Sequence, residues 1–275
     1  MSASPFDPQW RAALAAEGDQ PPLRPRLPLR MGPHIIGSVE VDYLEKISQP
    51  ASSALRDLLE KETCEQGLAW RMSGVGTSAL GQLADALLAA RAGRVAQHWR
   101  TEQLAVCNEF DQQVATVERG VVRPLGIATR AVHLVGRTVD GRFWVQQRAA
   151  SKATHPLCWD TLMGGMVSAA DTVDTALARE TWEEAGIRVA EVTAMRRGGK
   201  LTMRKPSGDA ADNGYVVEQV DWFDCVLPEA MVPVNQDGEV AQFELLDKRT
   251  LVSRLEQNEF TTEAALVLVA ALCLP

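Results

Sequence analysis

Few folds accommodate a helix whose inward stripe ends in three glutamates. From Asp171 to Gly186 the chain reads DTVDTALARETWEEAG. The spacing predicts a helix over Asp171–Ala185, with Asp171 or Ser168 as its cap and Gly186 as the left-handed residue that stops it. Val173, Ala176 and Leu177 lie at i, i+3 and i+4, so they share one face and should point inward. The same stripe continues into Glu180, Glu183 and Glu184. At 3.6 residues per turn, those three carboxylates fall within about a third of the circumference.

Repulsion works against this arrangement twice. Glu180 and Glu184 are like charges at i, i+4, which costs a few tenths of a kcal/mol. All three also sit at the negative end of the helix dipole, where cations are preferred. Arg179 offsets one charge only. A solvated acidic face would be the ordinary reading of such a run, but the apolar stripe leading into it argues for burial. Clustered carboxylate oxygens suit a hard divalent cation, Mg²⁺ or Mn²⁺, and such an ion bridges to substrate phosphates. Gly164 and Gly165 lie shortly before the helix and predict a tight turn with close backbone approach to a ligand.

Composition sets the wider bounds. The 275 residues carry Lys+Arg 28 against Asp+Glu 36, a net charge of −8, with 46% hydrophobic and 23% charged residues. This is a folded-protein composition, and its acidity excludes the broad basic footprint of a nucleic-acid or anionic-membrane binder. The apolar tail Ala264 to Leu274 is shorter than the ~20 residues that span a bilayer, and reads as a buried closing helix. Met1–Asp7 have no basic region followed by an apolar run, so a signal peptide is not expected. Five scattered cysteines without a C-x-x-C pair predict reduced thiols, so a cytoplasmic location is expected.

The pattern divides the chain in two. Residues 1–120 are expected to form an N-terminal α+β accessory domain. Its predicted helices are Pro8–Glu17, Ser53–Glu65 and Ser78–His98, with a strand in His34–Ile47 and a hairpin around Asn108–Gln113. The boundary is expected at Arg119–Gly126, which contains Pro124. Residues 121–275 read as an α/β unit. Its strands are Ile127–Val135, Phe143–Arg148, Val216–Val226 and Glu239–Leu246, and its closing helices Leu251–Glu256 and Thr262–Leu274.

The run from Gly165 through Asp171 to Arg179-Glu180-Thr181-Trp182-Glu183-Glu184-Ala185-Gly186-Ile187 resembles the Nudix signature, G-x5-E-x7-R-E-U-x-E-E-x-G-U with U apolar. Asp171 stands where Glu is usual, and Thr181 where an aliphatic residue is usual. The resemblance implies a Nudix α/β/α sandwich with a mixed sheet, hydrolysing a diphosphate linked to another group. It implies Glu183 and Glu184 as metal ligands, Glu180 as ligand or assisting base, and Arg179 as the residue orienting one of them. Trp159-Asp160 and Asp237-Gly238-Glu239-Val240 also look like Nudix features, with Glu239 either an additional ligand or base, or a surface turn acid. The segments Trp99–Cys107, Arg123–Leu134 and Pro228–Phe243 resemble the subgroup that includes the Nudix domain fused to fungal thiamine pyrophosphokinase. That subgroup implies hydrolysis of thiamine diphosphate or its oxidised analogues to the monophosphate.

Other residues are weighed on chemistry. Arg148, at a strand end near the glycines, is a candidate phosphate clamp. Arg130 and His133 are placed to line the same cleft, with a structural role favoured for His133. Trp144, Trp159, Trp182 and Trp222 read as core, with one of them available to stack on a heteroaromatic ring. Cys158 beside Trp159 raises an isopentenyl diphosphate isomerase-like enzyme as an alternative. A pyrophosphatase of nucleoside-diphosphate derivatives and a noncatalytic binding module are the others; the module would be expected to lack the glutamates. The expected partner is a small-molecule diphosphate, and the N-terminal region is expected to cover the substrate cleft or to form a homodimer.

Overall fold

Strand β7 (Thr129–Thr138) is apolar on both faces because both faces are covered. Val132 and Leu134 pack beneath helix α5 (Val173–Ala185), against Ala176 and Leu177. Ala131 and Val135 face the other way, toward Ala264, Val267 and Leu268 of helix α7 (Thr262–Cys273). The computed structural model describes residues 4–46, 51–64, 67–90, 95–207 and 214–273. Readings that touch Ile47, Glu65, residues 91–94 and Leu274 lie outside them.

Around β7 runs a mixed sheet in the order β11 (Thr193–Pro206), β12 (Tyr215–Leu227), β7, β8 (Phe143–Arg148), β13 (Val240–Leu246). Strand β12 is parallel to β7, and the other neighbours in that order are antiparallel. Two short strands complete it: β9 (Trp159–Asp160) on β8 and β10 (Met163–Met166) on β7. Helix α5 covers one face; α7 and α6 (Lys248–Glu256) cover the other. This is the α/β/α sandwich expected from the sequence. Strand β11 was not foreseen, because its Arg, Lys and Gly residues hide the alternation of an edge strand.

The N-terminal region builds its own four-stranded sheet, ordered β2 (His34–Glu40), β1 (Arg26–Met31), β4 (Gly67–Met72), β3 (Leu59–Cys64). Helices α2 (Ala51–Leu58) and α3 (Gly76–Ala89) accompany it, and Leu80, Leu83 and Leu87 of α3 enter its core. The short helix α4 (Val95–His98) and the hairpin β5 (Gln103–Cys107), β6 (Gln113–Glu118) follow. The helix expected over Ser53–Glu65 is therefore only half helical. Its second half, Leu59-Glu-Lys-Glu-Thr-Cys, pairs with β4, where cross-strand contacts override the helix propensity of Glu and Lys.

Two findings qualify the expected boundary. Val121, Val122, Leu125 and Ile127 are buried in the N-terminal core, so the Pro124 segment is an internal turn rather than an exposed linker. Helix α1 (Pro8–Gly18) packs on the opposite unit: Phe6 and Leu14 join the cluster of Phe260 and Leu268. Beyond α1, the Gln20 N–H donates to the Arg204 carbonyl at 2.7 Å, closing part of the β11 edge.

Candidate active site

Helix α5 is capped by Thr172, not by Asp171 or Ser168 as expected. The Thr172 hydroxyl accepts from the Thr175 N–H, and the Thr175 hydroxyl accepts from the Thr172 N–H. This releases Asp171 for another task. Its carboxylate accepts from Arg179 Nε at 3.1 Å and Nη2 at 2.8 Å, and from Ser168. Burial opposes ionisation of Asp171, but the Arg179 and Ser168 hydrogen bonds hold it below the usual carboxylate range. At the other end, Gly186 adopts φ +65° and ends the helix as expected. The Thr181 hydroxyl, buried in the helix interior, is satisfied by the Leu177 carbonyl at 2.6 Å.

The three glutamates leave the stripe at different depths. Glu184 is 2% exposed, and the side chains of Glu180 and Glu183 are 14% and 41% exposed. Glu184 Oε2 accepts from Gln146 Nε2 at 2.8 Å and from the Gly164 N–H at 3.0 Å. Arg179 Nη1 donates to Glu180 and to Glu183, each at 2.9 Å. Burial pushes Glu184 up to about 8, despite the Gly164 and Gln146 donors, and pushes Glu180 up to about 7 against the pull of Arg179.

The glycines sit in a different element from the one expected. Gly164 and Gly165 lie within strand β10 rather than in a turn. A Cβ on Gly164 would meet the His133 ring at 2.7 Å, and one on Gly165 would collide with the Glu180 carboxyl. They leave room for neighbouring protein side chains, and the Gly164 N–H also fixes Glu184.

The donor set fits a hard divalent cation. All of it is carboxylate oxygen, and two of the three groups are held where burial disfavours their charge unless a cation lies near. Gln146 Oε1, beside Glu184, is buried without a hydrogen-bond partner, an acceptor suited to a water of such an ion. Among the described residues, however, no three His, Cys, Asp or Glu side chains stand close enough to hold an ion as they are. Arg179 gathers Glu180 and Glu183, while Glu184 turns to Gln146 and Gly164. Closing a ligand set requires Glu183 to exchange its arginine for a cation.

The remaining candidates separate. Arg148 is committed to the loop that follows it: it donates to the Thr154 carbonyl at 3.1 Å and to buried Asp160 at 3.4 Å. In this arrangement it braces that loop. Glu239 ion-pairs with Lys152 and contributes to raising Glu180, so it faces the cluster. Arg130 pairs with Asp111 of the N-terminal hairpin at 2.8 Å. His133 is buried, 2.9 Å from the Thr161 hydroxyl, and burial lowers its pKa, which favours the structural role. Trp159 and Trp222 are core residues, whereas Trp182 is exposed beneath the Arg188 guanidinium. The five cysteines are free thiols. Sequence reasoning missed Gln146 and Lys152, because one polar residue in a strand and one lysine in a polar loop carry no spacing signal.

A mixed sheet between helical layers, with a carboxylate cluster on the last turns of one covering helix, defines the class. The NUDIX domain profile matches residues 127–265, and the chain belongs to that family. Uncharacterized protein YJR142W of Saccharomyces cerevisiae is 29% identical over 184 residues, covering 62% of this chain and 54% of that protein. Nudix hydrolase 20, chloroplastic, of Arabidopsis thaliana is 30% identical over 165 residues, covering 58% and 43%. The chain thus spans about half the length of these relatives. DR0079 from Deinococcus radiodurans shares the fold, with a TM-score of 0.50 at 21% identity over 63% of this chain and 100% of that one.

Proposed function

We propose that this chain is a divalent-cation-dependent diphosphohydrolase acting on a small-molecule diphosphate. The observation that carries the reading is the row of Glu180, Glu183 and Glu184 on the last turns of α5, with Glu184 buried and the side-chain-free Gly164-Gly165 backbone of β10 against it. Glu183 and Glu184 would hold Mg²⁺ or Mn²⁺, with Glu180 either joining them or taking a proton from the attacking water. When bound, such an ion offsets charge developing on phosphoryl oxygens and makes a bound water more acidic. Arg179, tied to Asp171, orients Glu180 and Glu183. Gln146 and the Gly164 N–H orient Glu184.

The substrate we favour is thiamine diphosphate or an oxidised analogue, cleaved to the monophosphate and phosphate. The support is the subgroup resemblance of Trp99–Cys107, Arg123–Leu134 and Pro228–Phe243, which lies largely outside the glutamate motif. A division into an accessory unit over 1–120 and a Nudix unit over 121–275 is part of the same proposal, with Val121–Ile127 packing back on the accessory core and helix α1 on the Nudix unit. Within it, the N-terminal region covers the cleft or mediates a homodimer, and the protein works in the cytoplasm. No helix among the described residues is long and apolar enough to cross a membrane.

A screen of diphosphates with Mg²⁺ tests the reading, comparing thiamine diphosphate, oxothiamine diphosphate, nucleoside-diphosphate derivatives and isopentenyl diphosphate. Glu183→Gln and Glu184→Gln should each lower turnover at least about a hundredfold while leaving the circular dichroism spectrum unchanged. Full activity in both variants would sink the metal assignment. Conversion of isopentenyl diphosphate to its dimethylallyl isomer would replace hydrolysis with isomerisation.

A further inference from the structure

We propose that Lys152 is the cation that receives the substrate's phosphate, and that Glu239 is its exchangeable counter-ion in the ligand-free protein. The inference deepens the diphosphohydrolase reading and rests on it. A diphosphate approaching this site meets the carboxylates of Glu180, Glu183, Glu184 and Glu239, so a cation must lie within reach that is not already consumed. Arg179 is consumed by Asp171, Glu180 and Glu183. Arg148 is consumed by Thr154 and Asp160. Lys152 is different: its ammonium pairs with Glu239, whose side chain is half exposed and can swing into water.

The asymmetry of that pair is informative. The Lys152 side chain is 19% exposed, against 50% for Glu239. A surface ion pair serving only solubility leaves its lysine in water, because ammonium burial is unfavourable and long side chains lose rotamer freedom. Here the less exposed partner is the cation, and it lies near enough to Glu184 to favour that group's ionised form.

The backbone prepositions it. The Ala149 N–H donates to the Glu239 carbonyl at 2.8 Å, which ties the Lys152 loop to the Glu239 loop. The Lys152 N–H closes a turn onto the Ala149 carbonyl at 3.1 Å. Farther along the loop, His155 and Leu157 hold φ of +49° and +63°, left-handed conformations that are strained for these residues. Arg148 pins the strained segment from below through Thr154. Such a loop delivers the ammonium to a set position, where it meets phosphate as a point charge with three rotatable donors. When the phosphate takes the ammonium, Glu239 is freed beside Glu180, so phosphate binding and the release of a further carboxylate are one linked event.

The test is calorimetric titration with methylenediphosphonate, a diphosphate mimic that resists hydrolysis, with and without Mg²⁺. Lys152→Met should weaken binding about tenfold in both conditions and reduce its dependence on salt, with Lys152→Arg restoring part of the loss. In turnover, Lys152→Met should raise KM more than it lowers kcat. Without Mg²⁺, Glu239→Gln should tighten diphosphonate binding, because the competing carboxylate is gone. Equal melting temperatures for wild type and Lys152→Arg show that the loop is intact.

Wild-type affinity in Lys152→Met, or weaker metal-free binding in Glu239→Gln, overturns the assignment. Turnover by wild type together with a Lys152-independent affinity rejects this inference alone. A Lys152-dependent affinity with no turnover of any diphosphate supports it and rejects the hydrolase reading.

Discussion

At Gly165 one methyl group would occupy the space of the Glu180 carboxyl. Gly165→Ala should therefore displace Glu180 or the β10 backbone, destabilising the fold by ~1–3 kcal/mol and lowering turnover; thermal melting and diphosphate assays check both. The glutamates themselves predict a pH dependence. Burial raises Glu184 to about 8 and Glu180 to about 7 in the folded chain, above the ordinary carboxylate value that each regains on unfolding. The folded state then binds more protons than the unfolded one, so stability is full at acid pH and falls as pH rises through those values. Melting in EDTA from about pH 5 to about pH 9 should show that fall, while Glu184→Gln should flatten it and Mg²⁺ should restore stability at the alkaline end. A profile in EDTA that stays level for the wild type would contradict the burial argument.

Helix α5 ties these residues to one another. Its reciprocal Thr172–Thr175 cap sets where the helix begins, and the left-handed Gly186 sets where it stops. Thr172→Ala should cost ~1 kcal/mol, read as a lower melting temperature without loss of the helical spectrum. Gly186→Ala should cost more, because an alanine at φ +65° is strained and its Cβ would also press on the Val234 carbonyl at 2.6 Å. Both ends of this helix are legible in the sequence to within a residue or two, as is the stripe that carries the glutamates. The hydrogen-bonding of its capping residues is not, since Ser168, Asp171 and Thr172 are all good cap types and only the chain path selects among them. Strand β11 illustrates the opposite limit: its Arg, Lys and Gly residues suit an exposed edge and leave no apolar alternation for periodicity to detect. Leu59–Cys64 fails for a related reason, because a strand contact made with β4 overrides local helix preference.

For the whole molecule, helix α1 crosses from the N-terminal part of the sequence to the α7 layer. Phe6 and Leu14 are buried there, and such side chains contribute ~1.5–3 kcal/mol each. A chain lacking residues 1–20 should consequently melt well below the full chain, although the glutamate motif is untouched. An unchanged melting temperature would show that α1 is dispensable. The glutamate stripe, its spacing, the apolar central strand and the free thiols are all set by local sequence, because period and residue type alone determine which side chains share a face. Which cation answers those glutamates is a tertiary matter. Arg148 ends strand β8 and Lys152 lies four residues on in the following loop, and the sequence offers the arginine as a candidate phosphate clamp. Folding commits the arginine to Thr154 and Asp160 and leaves the lysine paired with an exposed carboxylate. The arginine's partners lie in the loop and short strand that follow it, but Glu239 reaches Lys152 from 87 residues away, and no local pattern encodes that pairing.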